Sequence, residues 1–215
     1  MKLSVVIPFY NEENMIQKMY DELVKEINQI TKAEFEIIFI NDGSKDRTFE
    51  RMLAIAAGDS RVKYISFSRN FGKEAGTIAG LEYATGEAVI LMDGDLQHPP
   101  ALLPQMIKAY EEGYDVVSAR RTRTGEKPHR TFLAKHFYRL ANKMMDIELM
   151  DGVSEFRLFS RKAVRAILSL QEYNRFSKGI FAWIGFKEKV IEYENQVRTV
   201  GETKYSLKFS LNYAI

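Results

Sequence analysis

Five short apolar runs in the first half of the chain alternate with longer stretches where apolar residues recur every three or four positions. The runs are Leu3–Phe9, Phe35–Ile40, Val62–Phe67, Ala88–Met92 and Val116–Ala119. They are rich in Val, Ile and Phe and carry little charge, as strands covered on both faces do. Four amphipathic stretches lie between them, roughly Glu12–Ile30, Arg47–Ala57, Lys73–Tyr83 and Ala101–Glu112. In the first, Met15, Ile16, Met19, Leu23, Ile27 and Ile30 fall at helical spacing. Strand–helix alternation of this kind predicts an α/β fold, doubly wound around a mainly parallel sheet with helices on both faces.

After Ala119 the pattern changes. Residues 120–130 read as a polar, strongly basic loop. A helix is expected over about Arg130–Met145, then a break at Asp151–Gly152 and a short strand Phe156–Phe159. Another helix starts at Arg161. Phe176–Phe186 is apolar and aromatic, and Lys187–Tyr193 reads as a last strand. No linker or internal repeat divides the chain.

Composition narrows the function classes. With 215 residues and 46% hydrophobic content, the chain can bury a full core, which excludes wholesale disorder. Lys and Arg number 31 against 29 Asp and Glu, so no excess of base marks a nucleic-acid binder. The absence of cysteine excludes a disulfide framework, a thiolate metal site and a cysteine nucleophile, and fits a reducing compartment. The first residues do not form a signal peptide, because Pro8 and then Asn11, Glu12 and Glu13 interrupt the apolar run. No stretch reaches the roughly 18 to 20 apolar residues of a membrane helix, so the sequence as given reads as soluble or peripheral.

In open α/β sheets, ligands bind beyond the carboxyl ends of the strands. Here those ends carry Pro8 to Glu13, Asn41 to Ser44, Ser68 to Lys73 and Asp93 to Gln97. Four polar strand ends on one edge predict an active-site rim. Asp93 and Asp95, one residue apart after an apolar strand, suit Mg²⁺ or Mn²⁺, and Gln97 offers a further oxygen. The plainer alternative is a surface turn, since Asp-Gly is common in turns. Asp42 can accept a hydrogen bond from a nucleobase or ribose, although Asn41-Asp42-Gly43-Ser44 is also good turn chemistry and Ser44 or Asp46 could cap the next helix. Neither G-x-G-x-x-G in the first loop nor a P-loop occurs, which counts against a dinucleotide dehydrogenase and a P-loop kinase.

These strings, in this order, resemble the family 2 glycosyltransferases of the GT-A fold, in particular the polyprenyl-phosphate glycosyltransferases. The resemblance rests on Val5–Glu13, Asn41–Thr48, Ser68–Ala75 and Met92–Pro100, then on Phe156–Ala163, Ala182–Phe186 and Arg198–Leu207. It implies a GT-A catalytic domain over 1–205, with a donor half of about 1–120 and an acceptor half of about 121–205. A juxtamembrane-type segment over 206–215 would follow, leading into membrane helices or resting on the bilayer. Pro8, Tyr10, Glu12, Asp42, Lys73 and Asp93 would line the donor nucleotide pocket. Asp93, Asp95 and Gln97 would hold Mg²⁺ or Mn²⁺, and Asp93, Asp95, Glu155 and Arg157 would form the catalytic set. Arg121, Arg123, Arg130, Arg198 and Lys204 would hold phosphate groups of donor and acceptor.

The implied reaction moves a hexose, glucose by preference, from a UDP-sugar to a polyprenyl phosphate at the cytoplasmic face of the cell membrane. GDP-mannose is the alternative donor. Partners would be the nucleotide sugar, the lipid phosphate and the membrane surface, with no nucleic acid and room for a homo-oligomer. An acceptor phosphate, with a second pKa near about 6, is already anionic at neutral pH. Such a site needs cations more than a general base. Three positions depart from the family pattern. Glu155 stands where Asp is usual, Asn195 where an Arg often lies, and His98 where Asp is common. His98 is expected to be a loop histidine facing solvent. Two rivals stay open: an Asp-x-Asp phosphatase, whose nucleophile would normally sit on the first strand, and a non-catalytic nucleotide-sugar binder of the same fold.

Overall fold

The computed structural model describes residues 1–122, 152–170 and 177–194. The expected helix over 130–145, residue Asn195 and the 206–215 segment lie outside these. Among the described residues, seven strands form one sheet: β1 Lys2–Phe9, β2 Glu34–Asn41, β3 Val62–Ser66, β4 Ala88–Leu91, β5 Val116–Arg121, β6 Val153–Ser160 and β7 Glu188–Tyr193. Their spatial order is β3-β2-β1-β4-β6-β5-β7. β1 pairs in parallel with β2 and β4, β2 with β3, and β5 with β7. β6 alone runs antiparallel, between β4 and β5. The doubly wound, mainly parallel sheet expected from the alternation is present.

Helices cover both faces. On one lie α1 (Ile16–Ile27), α2 (Thr48–Gly58) and α4 (Leu103–Glu111); on the other lie α3 (Lys73–Tyr83), α5 (Arg161–Ser169) and α6 (Ser177–Trp183). The two-residue period of each strand divides its side chains between two cores. Leu3, Val5, Ile7 and Phe9 of β1 join the α1/α2/α4 side, while Val6 joins the α3/α5/α6 side. In α1, Ile16, Met19, Leu23 and Ile27 are the buried stripe. Each such side chain contributes about 1.5–3 kcal/mol by leaving water. Ser160 caps α5, its hydroxyl accepting the Ala163 N–H at 3.2 Å.

Several boundaries differ from the sequence expectation. The first helix begins at Ile16, because residues 11–13 are drawn toward the loop after β2. Asn11 N–H donates to Ser44 Oγ, Glu12 N–H to Thr48 Oγ1 and Glu13 N–H to Asp46 Oδ2. A 3₁₀ turn over Pro100–Leu102 precedes α4, which starts at Leu103. Arg120 and Arg121, expected in a basic loop, are the last residues of β5 and pair with Glu192 and Tyr193 of β7. β6 is longer than its apolar run, so Glu155 and Arg157 both sit within the strand.

Candidate active site

The four strand-end loops on the carboxyl edge are tied to one another by close backbone and side-chain contacts. Asp42 N–H donates to the Phe9 carbonyl at 3.0 Å, and Phe67 N–H to the Asn41 carbonyl at 2.9 Å. Asn11 Oδ1 accepts the Lys45 N–H at 2.8 Å. Gly43, with φ +62°, lies against the Arg69 backbone so closely that an added Cβ would fall 2.2 Å from its carbonyl carbon. Gly94 meets the Phe9 ring in the same way, at 2.3 Å. Glycine is required at both points by close approach, and these contacts hold the loops after β1, β2, β3 and β4 at one mouth.

Asp42 is buried and bridges two of these loops. Its Oδ1 accepts Phe71 N–H at 2.7 Å and its Oδ2 accepts Gly72 N–H at 3.0 Å. Its carboxylate thus fixes the loop after β3, where Phe71 stays half exposed beneath the Arg69 guanidinium, 4.0 Å above the ring. Pro8 sits at the end of β1, level with Ile40, and Tyr10 and Glu12 follow in the partly buried turn.

Asp93 follows β4 and faces the first residue of α3. Lys73 Nζ lies 2.5 Å from its Oδ1, and His98 Nε2 lies 3.6 Å from its Oδ2. Burial raises the cost of its charge, but the Lys73 ammonium and His98 outweigh that and hold the carboxyl well below the usual range. Asp95 takes the Gln97 N–H on Oδ1 at 3.0 Å, closing a tight turn in which Leu96 adopts a left-handed backbone, φ +57°. A leucine in that region costs roughly 1–2 kcal/mol, and such strain concentrates at functional sites.

The donor chemistry of this turn fits a hard divalent ion. Two carboxylates stand one residue apart, with the Gln97 amide as a further oxygen. Among the described residues, no three acidic or histidine side chains form a cage by themselves. Mg²⁺ and similar ions use one or two carboxylates and take the rest of their shell from phosphate and water.

His98 is not solvent-facing, as expected from its loop position, but buried. Its Nδ1 lies 2.5 Å from the Tyr193 hydroxyl, and its ring packs against Tyr193 and Phe156 at centroid distances of 5.9 and 6.1 Å. Burial pushes the Tyr193 hydroxyl above its ordinary value; Asp95 and Asp93 add to this, while Ser154 and Arg121 oppose it. Tyr193 was missed by sequence reasoning, because it lies 95 residues from His98.

Of the second-half candidates, Arg121 ends β5, with its N–H on the Gly152 carbonyl at 3.1 Å. Leu91 pairs with Arg157 in the antiparallel β4–β6 ladder, and continuing that register two residues sets Glu155 level with Asp93. Arg157 itself is buried on the opposite face of β6 from Phe156. Its guanidinium lies 3.6 Å from Glu188 and 5.1 Å over the Phe181 ring, and Nε donates to the Ser154 carbonyl. Ser118 completes the group by donating to Glu188 at 2.5 Å. Arg123, Arg130, Arg198 and Lys204 lie outside the described residues.

The family model for glycosyl transferase family 2 matches residues 4–168, most of the chain. The chain belongs to this family. Among family 2 relatives, it is 44% identical over 213 residues to the uncharacterized glycosyltransferase YkcC of Bacillus subtilis (strain 168), covering 99% of this chain and 66% of that one. It is 42% identical over 207 residues to the prophage bactoprenol glucosyl transferase homolog of Escherichia coli (strain K12), covering 96% and 67%. The chain thus spans about two thirds of the length of the curated relatives it matches. Among solved structures, it resembles the mannosyltransferase PcManGT of Pyrobaculum calidifontis, in complex with GDP-Man and Mn²⁺. The TM-score is 0.64 at 19% identity, covering 88% of this chain and 54% of that one. It likewise resembles the glucosyl-3-phosphoglycerate synthase of Mycobacterium tuberculosis, solved with Mn²⁺, UDP-glucose and phosphoglyceric acid. There the TM-score is 0.60 at 20% identity, covering 99% and 76%. These likenesses establish the GT-A fold.

Proposed function

We propose that this chain is the catalytic part of an enzyme that moves a hexose, glucose by preference, from a UDP-sugar to a polyprenyl phosphate of the undecaprenyl type. The observation that carries the reading is the Asp93–Gly94–Asp95 turn, seated where four strand-end loops meet, with Lys73 on Asp93. The 42% identity to proteins named bactoprenol glucosyl transferase supports the choice of sugar and acceptor. The catalytic domain would span 1–205, with the donor half over about 1–120, and would work at the cytoplasmic face of the membrane. Among the described residues no helix is long and apolar enough to cross a bilayer; attachment would fall to the 206–215 segment.

In this reading the donor nucleotide lies over Pro8, Tyr10, Glu12 and the loop that Asp42 fixes. Asp95, Asp93 and Gln97 would hold Mg²⁺ or Mn²⁺, which when bound neutralises charge on the departing diphosphate. Lys73 holds Asp93 in place and adds positive charge beside it. Arg121, with Arg123, Arg130, Arg198 and Lys204, would hold the acceptor phosphate. One oxygen of that phosphate attacks the sugar's anomeric carbon as the bond to the diphosphate oxygen breaks on the opposite side, inverting the centre. No proton need be removed from an acceptor that is already anionic. Glu155 would orient the acceptor, and Arg157 would stiffen the strand that carries it.

Thermal unfolding with UDP, GDP and CDP, each with and without Mn²⁺, tests the donor class. A ligand at 100 times its dissociation constant stabilises by about 2.7 kcal/mol, which for a domain this size is a rise of roughly 5–10 °C. The expected result is such a rise with UDP and Mn²⁺ together. A rise with GDP instead would move the donor to GDP-mannose, and no rise with any nucleotide would count against the donor-site reading itself.

A further inference from the structure

One buried pair has no part in the donor scheme above. Tyr193, the last residue of β7, and His98, in the loop after β4, are both buried and joined at 2.5 Å. His98 then reaches Asp93 with its other ring nitrogen, at 3.6 Å, while Lys73 takes the second carboxylate oxygen. The imidazole thus presents Nε2 to the Asp93 carboxylate and Nδ1 to the Tyr193 hydroxyl. Phe156 and the Tyr193 ring pack against the imidazole, so it cannot turn away without breaking both contacts. Tyr193 is anchored in turn by its carbonyl, which accepts the Thr122 N–H at 2.8 Å just past Arg121.

A buried imidazole could satisfy itself with any neighbouring carbonyl. Here its two nitrogens instead connect the turn that bears Asp93 and Asp95 to the end of β7. From there the sequence continues to Arg198 and Lys204. We propose that His98 and Tyr193 are positioning residues: the pair sets the orientation of Asp93 against Lys73 and ties the Asp93–Asp95 turn to the end of β7. The inference rests on the reading of that turn as the donor's metal site. Partners that orient a metal ligand are typically worth about 10- to 100-fold in metal affinity.

The test is Tyr193→Phe, which keeps the ring and its packing and removes only the hydroxyl, with His98→Phe as a second variant. Mn²⁺ is titrated against the UDP-dependent thermal shift of each protein. The half-saturating Mn²⁺ concentration is expected to rise roughly tenfold or more in Tyr193→Phe. The midpoint without metal should stay within a few degrees of wild type, and UDP binding in EDTA should not change. An unchanged Mn²⁺ requirement would overturn the proposal and make the pair ordinary core packing, whatever happens to the metal-free midpoint. If the wild-type protein shows no Mn²⁺-dependent shift, the donor-site reading itself fails and this inference falls with it, so the two failures are told apart by the wild-type titration.

Discussion

Asp95→Asn is expected to abolish the Mn²⁺-dependent part of nucleotide binding and to lower transfer by roughly 10²–10³-fold, the range seen when one group stabilising transition-state charge is removed. Folding should hardly change. The contact that Asp95 makes is through Oδ1, which accepts the Gln97 N–H at 3.0 Å. An asparagine carbonyl can accept the same bond, so the turn survives while its charge is lost. The variant should therefore unfold at the wild-type midpoint without ligand and fail to respond to UDP with Mn²⁺. A metal-dependent shift of wild-type size in the variant would remove Asp95 from the metal site.

Gly43→Ala is expected to be the most destabilising single-methyl change in the donor half. Two costs add. The backbone there is left-handed, φ +62°, worth roughly 1–2 kcal/mol against alanine. The new Cβ also meets the carbonyl carbon of Arg69 at 2.2 Å, backbone that no rotamer change can move aside. Forcing the loops apart adds roughly 1–3 kcal/mol, for a drop of roughly 5–15 °C in the midpoint. Gly113→Ala is the control. It carries the same backbone handicap, φ +89°, with nothing within 4 Å of the added atom, so it should lose only the first cost. Equal losses in the two variants, measured by denaturant titration, would show that the approach of the β2 and β3 loops is not tight. Gly43→Ala should also weaken nucleotide binding beyond its effect on folding, because the displaced segment leads into the Phe71 and Gly72 amides that Asp42 holds.

Much of this architecture was legible in the sequence because buried strands and amphipathic helices leave a local record. β1, β2, β4 and the stripe of α1 can be read from a dozen residues at a time. The boundaries that differed were set by partners far away in sequence. Residues 11–13 leave the helix because Ser44, Thr48 and Asp46 claim their amides. Arg120 and Arg121, a basic run when read alone, become strand because β7 pairs with them. The antiparallel course of β6 likewise depends on where the chain returns after residue 122 and has no local signature.

The candidate site divides in the same way. The Asp93/Asp95 turn and the four strand ends were visible as motifs, and the structure brings Lys73 onto Asp93 as a set. His98 and Tyr193 were not visible as a pair. A histidine followed by two prolines looks like exposed loop, and only the folded sheet places a β7 phenol against it. Arg157 shows the converse. Its motif suggested a member of the catalytic set; in the fold its guanidinium is buried, over the Phe181 ring and 3.6 Å from Glu188. A side chain's chemistry could be read from sequence, but which face of a strand presents it could not.

The most direct measurement is transfer itself: labelled glucose from UDP-glucose into organic-extractable lipid, using the full-length protein in membranes supplied with undecaprenyl phosphate and Mn²⁺. The account predicts a lipid product that requires the metal, the phosphate on the lipid and Asp95, and that does not form with undecaprenol. Labelled product that persists in Asp95→Asn, or no transfer to the lipid phosphate from any nucleotide sugar despite metal-dependent nucleotide binding, would contradict it.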